Sequence, residues 1–264
     1  MVEPPLIDIR NATVWRGSTR VFEALNLTIP QHQHVAVLGP NGCGKTTLLK
    51  TINRELYPVV RADSWIRVLG SRRGNVWALR RHLGLVSHDL HARYHPDSTA
   101  SDVVVSGFHA SIGVHGLLAK HVAANQIEAA ERILGELGMQ DFIDVTFRRM
   151  STGQQRRCLL GRALVHDPHT LILDEPTAGL DFTASFDYLH RLRRLARAGR
   201  TIVLVTHHLG DIPPEVDRVI LLKAGRVVAD GPKPEVLTAA RLSDVYETAI
   251  RVAEVEGFFL AYPG

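Results

Sequence analysis

Apolar positions along this chain follow two periods, and the two alternate. "LIDIR" near the start places apolar and polar residues in turn, the period of a half-buried strand. "HVAVLG" is a continuous apolar run that stops at glycine, and "TTLLKTINREL" then takes up helical spacing. "SWIRVLG" and "LGLVS" read as further short strands. From about Ser98 to Met150 the texture turns helical. "SDVVVSG" opens on Ser101 and Asp102, residues suited to a helix cap. "AKHVAANQIEAAERILGELG" carries Ala124, Ile127, Ala130, Ile133, Leu134 and Leu137 at helical spacing. "STGQQRRCLLGRALVHDP" follows as a glycine turn and a helix that stops before Pro168. "TLILD" is a buried strand. "TASFDYLHRLRRLARAG" is a helix with Leu189, Leu192 and Leu195 inward and Arg191, Arg194 and Arg197 outward. "TIVLVTH" and "RVILLKAGRVVADG" are strands with a turn between them. Apolar strands alternating with helices predict a parallel α/β sheet with helices on its faces, and the helical middle segment is inserted into it.

Composition narrows this only a little. A chain of 264 residues that is 45% hydrophobic can bury the core of one or two domains. A net charge of +4 suits an anionic partner, such as a nucleotide, a nucleic acid or an acidic membrane surface. Two cysteines, Cys43 and Cys158, imply no disulfide framework and fit a reducing compartment. "MVEPPLIDIR" lacks the layout of a secretory signal, and no apolar run approaches the roughly 18 residues of a membrane span. "FFLA" near the end is too short to anchor the chain. A cytoplasmic protein is expected.

Chemistry enters at "GPNGCGKTT", Gly39, Pro40, Asn41, Gly42, Cys43, Gly44, Lys45, Thr46 and Thr47. The stretch fits G-x-x-x-x-G-K-[ST] and sits between a predicted strand and a predicted helix, the context such a phosphate loop requires. Its glycines permit torsions that aim successive N–H groups inward, and the helix N-terminus adds partial positive charge. Lys45 can reach the β- and γ-phosphates, and the Thr46 hydroxyl can ligate Mg²⁺. Chance produces this pattern in about 1% of chains this long, so a coincidental turn is the weaker reading. "LILDEP" adds Asp174 and Glu175 at the exit of a buried strand. One carboxylate there can hold the magnesium shell, and the next can orient or deprotonate an attacking water.

Five motifs in order, "GPNGCGKTT", "STGQQ", "LILDEP", "AGLD" and "VTHH", make the chain resemble the ATP-binding subunit of an ATP-binding cassette (ABC) transporter over about residues 6–235. The resemblance implies a RecA-like P-loop NTPase core with an N-terminal antiparallel β portion and an inserted helical subdomain. In one nucleotide-binding domain spanning 1–264, the core would take about 1–89 and 161–240, the helical subdomain about 90–160, and a C-terminal extension about 241–264. It implies ATP hydrolysis with ATP and Mg²⁺, a head-to-tail pairing with a second such domain, and a separate transmembrane permease. The chain itself would sit at the inner face of the cell membrane through that partner. Ser151, Thr152, Gly153 and Gln154 would contact the ATP held by the partner domain, and Asp181 would lie at the dimer interface. His207 would hold the γ-phosphate, with His208 pointing the other way. Trp15 would stack on adenine. "LGLVS", "VVVSGFHASIG" and "GQQRRCLLGRALV" look most like the branch associated with molybdate transport genes.

The chain departs from the family's pattern at four places, of which Thr46 for serine and "QHQHV" for Gly-Glu carry no chemical consequence. Thr152 stands where the signature has glycine, and His88 where a glutamine usually reaches the magnesium site. A neutral imidazole at 88 can accept from a magnesium-bound water or bind the ion. His88, His91 and His95 would share one face of a continuous helix, but Pro96 limits helix there, so a zinc site is disfavoured and His91 and His95 read as ordinary loop residues. The basic face of 191–200 reads as a solvated helix face. A soluble ABC-type switch acting on nucleic acid or ribosomes is the competing function. Such proteins usually carry two cassettes or a long charged linker, which this chain lacks.

Overall fold

The computed structural model describes residues 3–72, 79, 81–91, 93–114, 116 and 118–264, with the side chains of His88, Leu118 and Ala119 outside that description. Along the chain run β1 (Ile7–Arg16), β2 (Thr19–Ile29), β3 (Val35–Leu38), α1 (Lys45–Ile52), β4 (Trp65–Val68), β5 (Leu83–Val86) and α2 (His88–His91). Next come α3 (Ala100–Val105), α4 (Ala124–Glu136), α5 (Thr152–Leu164), β6 (Thr170–Asp174) and α6 (Phe182–Arg197). The last stretch carries β7 (Thr201–Thr206), β8 (Arg218–Lys223), β9 (Arg226–Pro232), α7 (Lys233–Val236), α8 (Ala239–Tyr246), β10 (Ile250–Val255) and β11 (Phe258–Pro263). The chain divides into two compact units, Met1–Leu79 with Thr201–Gly264, and Arg80–Arg200.

In the first unit β1 pairs antiparallel with β2 on one side and β4 on the other. The first strand is longer than "LIDIR" suggested. Its register with β2 shifts around Asn11, whose φ is +45°, so the alternation is interrupted while the strand continues. β3 lies between β7 and β8, parallel to both, and β9 returns antiparallel along β8. All four β3 residues and all six of β7 are buried, as expected for strands covered on both faces. The C-terminal extension folds as α8 and an antiparallel β10–β11 hairpin, so "FFLA" is part of a strand.

In the second unit β5 and β6 run parallel, with Val86 opposite Leu173. Helices α3, α4 and α5 pack on one another through Val103, Val104, Ala130, Ile133, Leu134, Leu159 and Leu160. The cap of α3 differs from the expected pair. Thr99 is the N-cap: its hydroxyl accepts from Asp102 N–H at 3.1 Å, while the Asp102 carboxylate accepts from Thr99 N–H at 3.0 Å. Of the predicted helix over 119–138, α4 takes Ala124–Glu136 after a short 3₁₀ turn at Leu118–His121, and Ile127 is exposed. On α6 the buried stripe is Tyr188, Leu189, Leu192 and Ala196. Arg191, expected outside, is half-buried and paired with Asp187 at 2.9 Å. No described helix is long and apolar enough to cross a membrane.

Candidate functional site

Two half-sites are described, one in each unit. In the first, β3 delivers the chain into the phosphate loop and α1 leaves it. Gly44 caps α1 with φ +114°, a torsion L-residues avoid, and a Cβ there would come within 2.7 Å of the Phe22 ring. Gly39 is pressed against β8: a Cβ would meet the Leu222 carbonyl oxygen at 2.2 Å. The Lys45 ammonium folds back onto the loop, donating to Gly39 O at 2.6 Å and Pro40 O at 3.2 Å. Cys43 is buried and its carbonyl accepts from Gly225 N–H, while Asn41 and Gly42 are exposed. Thr46 is half-buried and Thr47 buried. The loop offers a cation, a helix N-terminus and no carboxylate, a donor set that fits phosphate.

His207 belongs to the same sheet edge. Leu38 pairs with Thr206 in the parallel β3–β7 ladder, so Gly39 and His207 each follow a paired position at neighbouring carboxyl ends. Thr206 Oγ1 donates to Asp211 Oδ2 at 2.8 Å and accepts from His208 N–H at 3.0 Å, which fixes the turn. His208 does not point away. Its ring centroid lies 3.8 Å from that of His207. The two-residue alternation that would separate them ends with β7 at Thr206. Trp15 is 45% exposed, so it is not a core tryptophan. It follows Val14, which pairs with Phe22, the ring against Gly44.

In the second unit Asp174 is buried at the end of β6 and Glu175 is half-buried with φ +47°. Non-glycine residues in that region cost on the order of 1–2 kcal/mol, a strain typical of functional sites. The β5–β6 ladder ends at Val86 and Leu173, so Ser87 and Asp174 each follow the last paired position, and His88 opens α2. The His88 side chain lies outside the described residues. Arg156, 1% exposed, gave no signal in the sequence reading. Desolvation lowers its pKa, opposed by Tyr188, Asp174 and Glu175, and its Nη2 donates to Ala178 O at 3.3 Å.

Ser151 is the N-cap of α5, and Gln154 closes a capping box with it: Ser151 Oγ accepts from Gln154 N–H at 3.3 Å and Gln154 Oε1 from Ser151 N–H at 2.8 Å. The serine's hydroxyl proton stays available to donate. Thr152 is exposed at the first helical position. A Cβ on Gly153 would sit 3.0 Å from Ala184 Cβ, and Ala184 N–H donates to Asp181 Oδ1 at 2.8 Å, so the signature and Asp181 adjoin. His88, His91 and His95 do not share one helical face among the described residues. Helix α2 ends at His91, and His95 is exposed, its Nδ1 accepting from Asp97 N–H. His91 is not an ordinary loop residue. Gln155 donates Nε2 to Phe147 O at 2.7 Å, which turns Oε1 toward His91 Nε2, also at 2.7 Å, so that imidazole nitrogen carries the proton.

Comparison with known proteins shows the family. The sequence profile described as "ABC transporter" matches residues 22–178. The chain is 32% identical over 252 residues to the uncharacterized ABC transporter ATP-binding protein YlmA of Bacillus subtilis, covering 94% of this chain and 93% of that protein. It is 29% identical to the hemin import ATP-binding protein HmuV of Bradyrhizobium diazoefficiens, covering 96% and 92%. The structure of cbiO1 from Clostridium perfringens, described as part of the ABC transporter complex cbiONQ, superposes with a TM-score of 0.72 at 26% identity, covering 92% and 94%.

Proposed function

The chain belongs to the ABC transporter family, and from that premise we propose how its residues divide the work. It is an ATP-binding, ATP-hydrolysing subunit of an ABC transporter. The loop N–H groups and Lys45 hold the β- and γ-phosphates, and Trp15 stacks on the adenine. Thr46, Asp174 and His88 are the residues that would hold Mg²⁺ or its waters, and the ion would supply charge neutralisation on the transferring phosphate. Glu175 takes the proton of the attacking water as its oxygen bonds to the γ-phosphorus and the bond from that phosphorus to the β–γ bridging oxygen breaks, ADP leaving, while His207 holds the γ-phosphate. A second copy pairs with this one across Asp181. Ser151, Thr152, Gly153 and Gln154 serve the ATP bound by that copy.

The observation that carries this reading is the strand register. It sends the phosphate loop and His207 off neighbouring strand ends, while a strained glutamate follows β6. We place the helical subdomain at about 90–160. We place the membrane path in a separate permease, which puts this subunit at the cytoplasmic face; the similar cbiO1 is described as part of an ABC transporter complex, cbiONQ. Membership among transporter subunits favours this over a switch acting on nucleic acid or ribosomes.

Glu175→Gln tests the mechanism. Steady-state hydrolysis should fall by roughly 10²-fold or more, the usual contribution of a general base, and ATP should convert the variant to a dimer on a sizing column. A variant that turns over at the wild-type rate removes Glu175 from the mechanism.

A further inference from the structure

The turn after β7 is held from outside as well as from within. Tyr246, the last residue of α8, donates its hydroxyl to the carbonyl oxygen of His207 at 3.5 Å. Strand β11 packs on the short turn Leu209–Asp211, with Leu260 Cδ2 3.9 Å from where a Gly210 Cβ would stand. Both elements come from the C-terminal extension.

A buried lysine latches that extension in place. Lys233 opens α7 and is 5% exposed. Its ammonium donates to three carbonyls: Pro213 at 3.2 Å and Pro214 at 3.4 Å, both just beyond the His207 turn, and Gly257 at 3.0 Å, in the β10–β11 connection. The ammonium also lies 5.6 Å from the centre of the buried Phe259 ring. One cation therefore joins the segment after His207 to the tip of the hairpin. Inside the extension, Ser243 ties α8 to the hairpin, accepting from Ile250 N–H at 2.9 Å and donating to Ile250 O at 3.3 Å. Lys223 of β8 donates to Asp244 O at 2.6 Å and pairs with Glu247 at 3.1 Å, so α8 is fastened to the sheet that carries His207.

An imidazole that must hold a phosphate within hydrogen-bond reach tolerates little backbone drift, since a misplacement of about 1 Å costs roughly 10²-fold in rate. We propose that the C-terminal extension 239–264 is the positioning element of His207: Tyr246 holds that residue's own carbonyl, and the hairpin latched by Lys233 backs the turn that follows. Tyr246 is a positioning residue and touches no substrate. The proposal rests on the role given to His207 above.

The test compares Tyr246→Phe, Lys233→Met, His207→Ala and the Tyr246→Phe/His207→Ala pair in the full-length chain. Each is measured for kcat and KM of ATP hydrolysis, for melting temperature, and for amide hydrogen exchange in the peptide spanning 205–212. Tyr246→Phe should lower kcat about 3- to 10-fold, the worth of one hydrogen bond, with KM unchanged, while exchange in 205–212 speeds up. Lys233→Met should do the same. In the His207→Ala background the tyrosine change should still speed exchange and leave kcat where His207→Ala put it. Wild-type kcat and unchanged exchange in Tyr246→Phe would overturn the proposal, as would equal losses in kcat at matched exchange rates with and without His207. If His207→Ala itself keeps the wild-type rate, the reading of His207 fails, and the exchange data still report separately whether the extension holds the turn.

Discussion

Gly44→Ala isolates what the phosphate loop asks of its last glycine. Two costs are separable. The backbone sits at φ +114°, where a Cβ costs roughly 1–2 kcal/mol. The new methyl would also lie 2.7 Å and 3.0 Å from Phe22 Cε1 and Cζ and 3.1 Å from Val21 Cγ1. Phe22 is 1% exposed, so its ring has no open space to move into. Overpacking of this kind costs about 1–3 kcal/mol. The sum centres at about 3.5 kcal/mol, and at roughly 2–4 °C per kcal/mol for chains of this size the melting temperature should drop by about 7–14 °C. Calorimetry on the wild type, Gly44→Ala, Phe22→Leu and the double variant separates the parts. Phe22→Leu makes room, so the double variant should show a favourable coupling of about 1 kcal/mol, leaving the torsional cost. ATP binding, read by fluorescence titration, should weaken in both glycine variants, because the torsion that aims the loop N–H groups is lost. If Gly44→Ala melts with the wild type and binds ATP equally well, the geometric reasoning is wrong.

Two further outcomes follow from buried titratable groups. Burial pushes the Cys158 thiol up from 9.0 to about 12, against a smaller opposing effect of Arg157. Native protein at pH 8 should therefore resist disulfide reagents at Cys158 while denatured protein labels fully; native labelling at the rate of a free thiol refutes this. Burial lowers the Lys233 pKa below its ordinary 10.5, opposed by Glu254, Glu215 and Asp217. The unfolded chain then holds the proton more tightly, so Lys233 contributes a gain in stability as pH rises from its lowered folded value to about 10.5. Lys233→Met should flatten that gain in urea titrations, and an unchanged pH slope counts against it.

Where sequence reasoning succeeded, residue type and period agreed. An apolar run ending in glycine, followed by helical spacing, located β3, the phosphate loop and α1 because nothing in that stretch breaks either period. Strand β2 escaped. Its buried Phe22, Leu25, Leu27 and Ile29 change phase at Ala24, whose φ of +51° inserts a kink that alternation alone does not reveal. The β10–β11 hairpin escaped because Val255, Leu260 and Tyr262 face outward, so its apolar residues mark no single buried face. His208 was misjudged by carrying strand alternation one residue past the end of β7. Arg156 and Tyr246 could not be found by motif, since their roles are set by contacts with residues 22 and 39 positions away.

Arg156 has a consequence for how charge is shared. Its guanidinium is buried in the second turn of α5, and attraction from Asp174 and Glu175 offsets part of its desolvation. The helix that begins at Ser151 is thus held down by the negative charge of the acid pair. Neutralising either carboxylate withdraws that support from a cation that cannot give up its proton, one turn from the capping box. A charge change at the end of β6 is therefore felt in the first turns of α5, so the acid pair acts as a mooring for that helix.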